Sequence, residues 1–330
     1  MSPDPKQTAK KALNRVEKML RRGDADADDT GVELEDAGHG AAAGSQPGID
    51  TTGPTRLYDA YVFDLDGTIF LGDEAMPGAG RTIEMIRQLD RPVRFVSNNA
   101  TLDPDGVVAK LAALGVDIKR EEFTNTVIST VAWLRANHPQ AVVFPIAEEP
   151  LKHALAEAGI AMSQNPEEID IVIASYDRTF DYRKLQIAFD AIWFHKRAFL
   201  VATNMDTFCP YPGGRGEPDA ATIVSAIETG TGTKLVQNLG KPDAVLLEAA
   251  LADLDADLSR SIMIGDRLGT DIKMANKAGM DSALVLTGDN TLAEAESVKK
   301  KQRPDFALSR LDHIIPEYIR EQMGWLDSDS

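Results

Sequence analysis

The chain has 330 residues, enough for two ordinary domains or one domain with a large insertion, and its 43% hydrophobic and 26% charged content is that of a soluble globular protein. A formal net charge of −17 repels a phosphate backbone, which excludes nucleic acid as a partner, and it admits a phosphorylated ligand only where a metal ion or a placed lysine supplies local positive charge. No apolar run approaches the roughly 20 residues of a membrane span, the N-terminus lacks the apolar core of a secretory signal, and Cys209 as sole cysteine excludes an internal disulfide, so a cytoplasmic protein is expected.

Residues 1–56 differ from the rest. Lys6 to Arg22 is basic, with Leu13, Val16 and Leu20 at helical spacing, and predicts a short amphipathic helix. Gly23 to Thr55 is acidic and rich in Gly, Ala and Asp, which reads as a disordered extension. From Tyr58 strands and helices alternate. The apolar runs Ala60–Phe63, Val93–Val96, Ile262–Ile264 and Ala283–Leu286 predict buried strands, and amphipathic stretches such as Pro104–Leu114 predict the helices between them. Such alternation is the pattern of a parallel sheet covered by helices. A middle set of runs, Val142–Ile146, Ile169–Ala174 and Phe199–Ala202, alternates with helical patterns near Pro150–Ala158, Tyr182–Phe194 and Ala220–Glu228. Texture alone does not decide whether this set extends the first sheet or forms its own α/β domain.

Three polar clusters each follow a strand: Asp64-Leu65-Asp66-Gly67-Thr68, then Ser97-Asn98-Asn99, then Gly265-Asp266-Arg267 with Thr270-Asp271 beyond. The carboxyl edge of a parallel sheet is where open α/β proteins bind ligands. Asp64, Asp66 and Asp266 crowded there would repel one another unless a cation sat among them, and an all-oxygen donor set suits Mg²⁺. The five histidines, His39, His138, His153, His195 and His313, have no ligand-like spacing and read as surface or packing residues.

A carboxylate beside Mg²⁺ can attack phosphorus, and a second one two residues on can protonate the leaving oxygen and later take a proton from water. Thr68 and Ser97 offer hydroxyls to phosphoryl oxygens, and the Gly67 turn offers backbone N–H groups. Lys241, before Pro242 and the predicted helix Asp243–Leu254, can bring an ammonium to the same anion. Singly, each cluster has a plainer reading: a turn at Asp64–Gly67, a strand-end turn at Gly265-Asp266, a surface lysine, a helix cap at Ser97.

Together they resemble the haloacid dehalogenase-like superfamily of phosphatases, whose four motifs find matches in Asp64–Thr68, Ser97, Lys241 and Asp266 with Asp271. The resemblance spans about Leu57 to Leu326. It implies an α/β fold with a Rossmann-like doubly wound parallel core (57–138 and 234–326) and a smaller α/β cap inserted at 139–233, the arrangement of the nitrophenyl phosphatase branch. It implies Asp64 as nucleophile, Asp66 as general acid/base, and Ser97 and Lys241 as catalytic. Gly67, Thr68, Ser97, Asn98 and Lys241 would bind phosphate. Magnesium would be held by Asp64, the Asp66 main-chain carbonyl and Asp266, with Asp271 steadying Lys241 or the metal waters. Asp177, Arg178, Asn204, Asp206 and Arg215 are the candidates for substrate specificity.

The implied activity is a Mg²⁺-dependent phosphomonoesterase working through an aspartyl-phosphate. Its partner would be a small phosphorylated metabolite of the sugar, glycerol, glycolate, pyridoxal or nucleotide class. The branch tends to dimerise through its cap, which leaves a homodimer open. A phosphotransferase of the same fold is one alternative. A non-hydrolytic phospho-aspartate signalling module is another, although it would lack the second acid and the large cap.

Overall fold

The computed structural model describes residues 48–211 and 215–325; the predicted basic helix Lys6–Arg22 lies outside them. In chain order the strands are β1 (Tyr61–Asp64), β2 (Phe70–Leu71), β3 (Glu74–Ala75), β4 (Val93–Ser97), β5 (Phe123–Asn125), β6 (Val143–Ile146), β7 (Ile171–Ala174), β8 (Phe199–Ala202), β9 (Phe208–Tyr211), β10 (Arg215–Pro218), β11 (Leu235–Asn238), β12 (Ile262–Gly265), β13 (Asp281–Val285) and β14 (Phe306–Leu308). Six of them form a wholly parallel sheet in the order β14-β13-β12-β1-β4-β5.

The period of two along each strand explains why helices cover both faces of this sheet. Tyr61, Phe63, Val93, Phe95, Ile262 and Ile264 point to one side, where Ile83, Ile86 and Leu111 pack on them. Val62, Val96 and Met263 point to the other, against Leu246, Leu247 and Met274. Every one of these side chains is at most 3% exposed, and each large one withdrawn from water contributes about 1.5–3 kcal/mol. Local signals start the helices: Asp103 accepts the Gly106 N–H ahead of Pro104, and Asn125 accepts the Ile128 N–H.

The middle runs form their own parallel sheet, β11-β8-β7-β6, covered outside by the helices Tyr182–Phe189 and Ala220–Thr231. Its inner face packs on the helix Thr126–Asn137, which also adjoins Ala244–Leu251 of the first sheet's cover. The expected end of the insertion at 233 is corrected by β11, which pairs with β8 and so belongs to the second sheet. Polar Gln237 and Asn238 hide this strand from an apolar count. The predicted helix Tyr182–Phe194 ends as a regular α-helix at Phe189 and continues as a wider turn over Asp190–Phe194. An antiparallel hairpin, β9–β10, leaves the insertion between β8 and the helix Ala220–Thr231.

Candidate active site

Strand order reverses at β1: the chain runs outward through β4 and β5 on one side and later through β12, β13 and β14 on the other. The crevice at the carboxyl ends beside such a reversal is open to a ligand. Asp64 closes β1, Ser97 closes the adjoining β4, and Asp266 follows β12. Carboxylate oxygens of Asp64, Asp266 and Asp271 lie within 4.8 Å of one another, and all three residues are buried. Lys241, also buried, donates its ammonium to Asp64 Oδ1 and, at 2.7 Å, to Asp271 Oδ1.

One ammonium does not balance this set. Burial pushes the Asp64 carboxyl up; Lys241 pulls it down, and Asp271 and Asp266 push it up again. Burial first, and Asp271 second, push Asp266 up to about 6. Burial pulls Lys241 down, but Asp271 and Asp64 outweigh it and hold the ammonium above its ordinary range. Asp66 is reached by water, yet the protein mass around its cleft raises its carboxyl, with Lys110, Lys241 and Arg267 pulling the other way.

The free oxygens show what could neutralise the cluster. Asp271 is fully used, with Oδ1 on Lys241 and Oδ2 accepting the Arg267 N–H at 3.1 Å. Asp266 Oδ2 accepts the Asp289 N–H at 2.9 Å, whereas its buried Oδ1 has no partner among the described residues. Asp64 Oδ2 meets the Thr68 hydroxyl at 3.5 Å, the long limit of a hydrogen bond. Two carboxylate oxygens with spare lone pairs, and no histidine or cysteine in the group, fit a hard divalent cation such as Mg²⁺.

The metal-free protein should therefore lose stability as pH rises. Folded Asp266 keeps its proton to about pH 6 while the unfolded group releases it near 3.8. Between those values the native state binds more protons, so the contribution is full below the lower value and falls through the higher one, on the order of 3 kcal/mol in all. In chelated buffer, the melting temperature of Asp266→Asn should exceed that of the wild type by a gap that widens from about pH 4 to about pH 7. A gap that stays constant or narrows would refute the assignment.

Several expected contacts are corrected. The Gly67 N–H bonds the Phe70 carbonyl at 2.8 Å and the Thr68 N–H the Leu65 carbonyl at 3.2 Å, so the turn spends these donors on itself. Gly67 is needed for another reason: at φ +81° any Cβ would collide with Asp266 Oδ2. The Asn98 amide is likewise committed, accepting the Lys241 N–H at 2.7 Å and donating to Asp206 Oδ2 at 3.0 Å. This side chain holds the lysine and the insertion in place and, donating also to the Lys241 carbonyl at 3.3 Å, has no atom of its own to spare for a phosphate. Ser97 is buried at the strand end, where its Oγ accepts the Asn99 N–H at 3.1 Å.

In the insertion, Asp177 is satisfied locally by the Thr179 N–H and hydroxyl and by Lys184 at 2.6 Å, which removes it as a substrate contact. Arg178 forks onto Glu148 at 2.6 and 2.7 Å within the same unit. Buried Asn204 donates to the Asn98 carbonyl at 3.1 Å and accepts the Asp206 N–H, so Asn204 and Asp206 act as the seam between the two sheets. Arg215 is exposed on the hairpin.

Arg267 was passed over as a site residue in the sequence. Burial lowers its charge affinity, but Asp289, Asp266, Asp64 and Asp206 together raise it, which places a firmly held cation at the mouth. Asp289 and its neighbours Thr287, Gly288 and Asn290 were missed too, although they follow the carboxyl end of β13 as the other clusters follow theirs.

Known proteins resemble this chain both in sequence and in overall fold. The family of haloacid dehalogenase-like hydrolases matches over residues 61–161, and a second description of the same kind matches 238–314. An acid sugar phosphatase from Staphylococcus aureus is 32% identical over 262 residues, covering 79% of this chain and 98% of the relative. Among solved structures, a 4-nitrophenylphosphatase from Thermotoga maritima superposes with a TM-score of 0.72 at 30% identity, covering 78% of this chain and 96% of its own. A glycerol phosphate phosphatase from Mycobacterium tuberculosis, solved in complex with magnesium, gives a TM-score of 0.71 at 31% identity, covering 78% of this chain and 77% of its own.

Proposed function

Because the chain belongs to the haloacid dehalogenase-like hydrolases and is a phosphatase of that family, we propose that it hydrolyses a small-molecule phosphate monoester with Mg²⁺ through a phosphorylated Asp64. The observation that carries this is the buried cluster of Asp64, Asp266 and Asp271 around Lys241, with an oxygen on Asp266 that has no partner among the described residues. The ion would be held by the Asp64 carboxylate, the Asp66 carbonyl and Asp266, and when bound it supplies positive charge against which a phosphoryl group and a carboxylate can approach each other.

Each step can be followed on residues of this chain. An Asp64 oxygen forms a bond to phosphorus as the bond from phosphorus to the leaving oxygen breaks. Asp66, whose carboxyl is shifted upward by its surroundings and so toward the acid form the step needs, gives a proton to the leaving oxygen. The Asp66 carboxylate then takes a proton from the water that displaces Asp64 from phosphorus. Lys241 balances charge on Asp64 and is itself steadied by Asp271. The Thr68 hydroxyl reaches the same carboxylate, and Ser97 closes the strand paired with β1, so both hydroxyls can face phosphoryl oxygens.

Charge at the mouth bears on the leaving group. Asp219, pushed up to about 6 by burial first, and Asp206 sit with Arg267 where the hairpin meets the core. Two acids face one arginine there, so a leaving group that brought a further carboxylate would meet net like charge, and neutral polyols such as sugar or glycerol phosphates fit better than phosphoglycolate. The test is phosphate release from a panel of such esters, run with Mg²⁺ and with chelator. Chelation should lower turnover by about two orders of magnitude or more, and the polyol phosphates should lead in kcat/KM. Turnover indifferent to chelation would overturn the metal reading, and preference for phosphoglycolate would overturn the ranking.

A further inference from the structure

After β13 the chain runs Thr287-Gly288-Asp289-Asn290, and this loop touches the site at several points at once. The Thr287 hydroxyl donates to the Gly67 carbonyl at 3.0 Å. The Asp289 N–H donates to Asp266 Oδ2 at 2.9 Å, and the Asn290 N–H to the Asp266 carbonyl at 3.2 Å. Asn290 Oδ1 accepts the Leu268 N–H at 2.8 Å, and the Asp289 carboxylate lies 2.6 Å from Arg267 Nε. Gly288 passes so close that any Cβ would collide with Asp266 Oδ2.

From these contacts we propose that Thr287–Asn290 is a positioning clamp for the metal site. The proposal rests on the Mg²⁺ reading above. A free carboxylate turns about its Cβ–Cγ bond and can present either oxygen, both or neither to an ion. Here Oδ2 is tied to a backbone N–H and the residue's own carbonyl to another, so rotation is stopped with Oδ1 as the unpartnered atom. Through Thr287 the same loop holds the carbonyl of Gly67, and with it the turn that carries Asp64 and Asp66. The two halves of the donor set come from strands far apart in sequence, and the loop fixes one against the other. Groups that orient a metal ligand in this way typically change affinity by about 10- to 100-fold when removed.

The test is Mg²⁺ binding to the substrate-free protein by calorimetry, together with the Mg²⁺ dependence of turnover. Thr287→Val deletes only the donor to Gly67 and should weaken Mg²⁺ about tenfold while kcat at saturating metal stays near the wild-type value. Thr287→Ser restores the donor and should restore affinity. Gly288→Ala pushes on Asp266 directly and should weaken Mg²⁺ more, whereas Gly269→Ala, whose Cβ meets nothing within 4 Å, should not change it. If Gly288→Ala does not fold, Thr287→Val and its serine counterpart decide. Wild-type Mg²⁺ affinity in Thr287→Val would overturn the clamp alone. A wild-type protein that neither binds Mg²⁺ nor needs it for turnover would overturn both the clamp and the metal reading.

Discussion

Replacing Asp64 by Asn should leave a folded protein whose phosphate release falls by at least about three orders of magnitude, because an amide cannot take the place of the attacking carboxylate. The fold should survive the change. Burial, Asp271 and Asp266 all disfavour the Asp64 anion, so a neutral isostere relieves strain in the metal-free cluster even as it gives up a charged partner of Lys241. Melting in chelator should accordingly be unchanged or raised. Acid-quenched samples of the wild type at steady state should carry phosphate on the protein, and those of Asp64→Asn should not. Turnover above about a hundredth of wild type would place the nucleophile elsewhere.

Lys241→Met should show the opposite balance, harming stability as well as rate. The side chain is 5% exposed and is the cation bonded to both Asp64 and Asp271. Methionine fills the same space without charge, and leaving buried carboxylates unpaired costs about 3–5 kcal/mol. Turnover should also fall by about 10²–10³, the usual loss when a charge-stabilising donor is removed from a water-poor site. Added Mg²⁺ should raise the melting temperature of the variant more than that of the wild type, since the cation would then be the main charge balancing those acids. A variant as stable as the wild type in chelator would show that Lys241 does not hold the cluster together.

How far the residues alone lead differs from one part of the molecule to another. Tyr61–Asp64, Val93–Ser97 and Ile262–Gly265 are short apolar runs, buried on both faces, so they declare themselves as central strands. Phe123–Asn125, Leu235–Asn238 and Phe306–Leu308 do not: the first two carry polar side chains, and the third is only three residues long. Their extended form comes from the neighbouring strand that bonds them. The sequence offers Asp177 as a substrate contact and Asp266 as a metal ligand, yet Thr179 and Lys184 consume the first while the second keeps an oxygen with no partner among the described residues.

By itself, then, the sequence determined the α/β class and the set of acids at the strand ends, since both follow from local patterns of apolar period, strand length and the residue that comes next; the phosphatase family came from the resemblance of its four motifs. Only the tertiary structure decided which of those polar atoms are spent and which are spare. Lys241 meets Asp64 across 177 residues, Thr287 meets Gly67 across 220, and Asn98 meets Asp206 across 108. A side chain's remaining hydrogen-bonding capacity is set by partners at such separations, and no short window of sequence contains them.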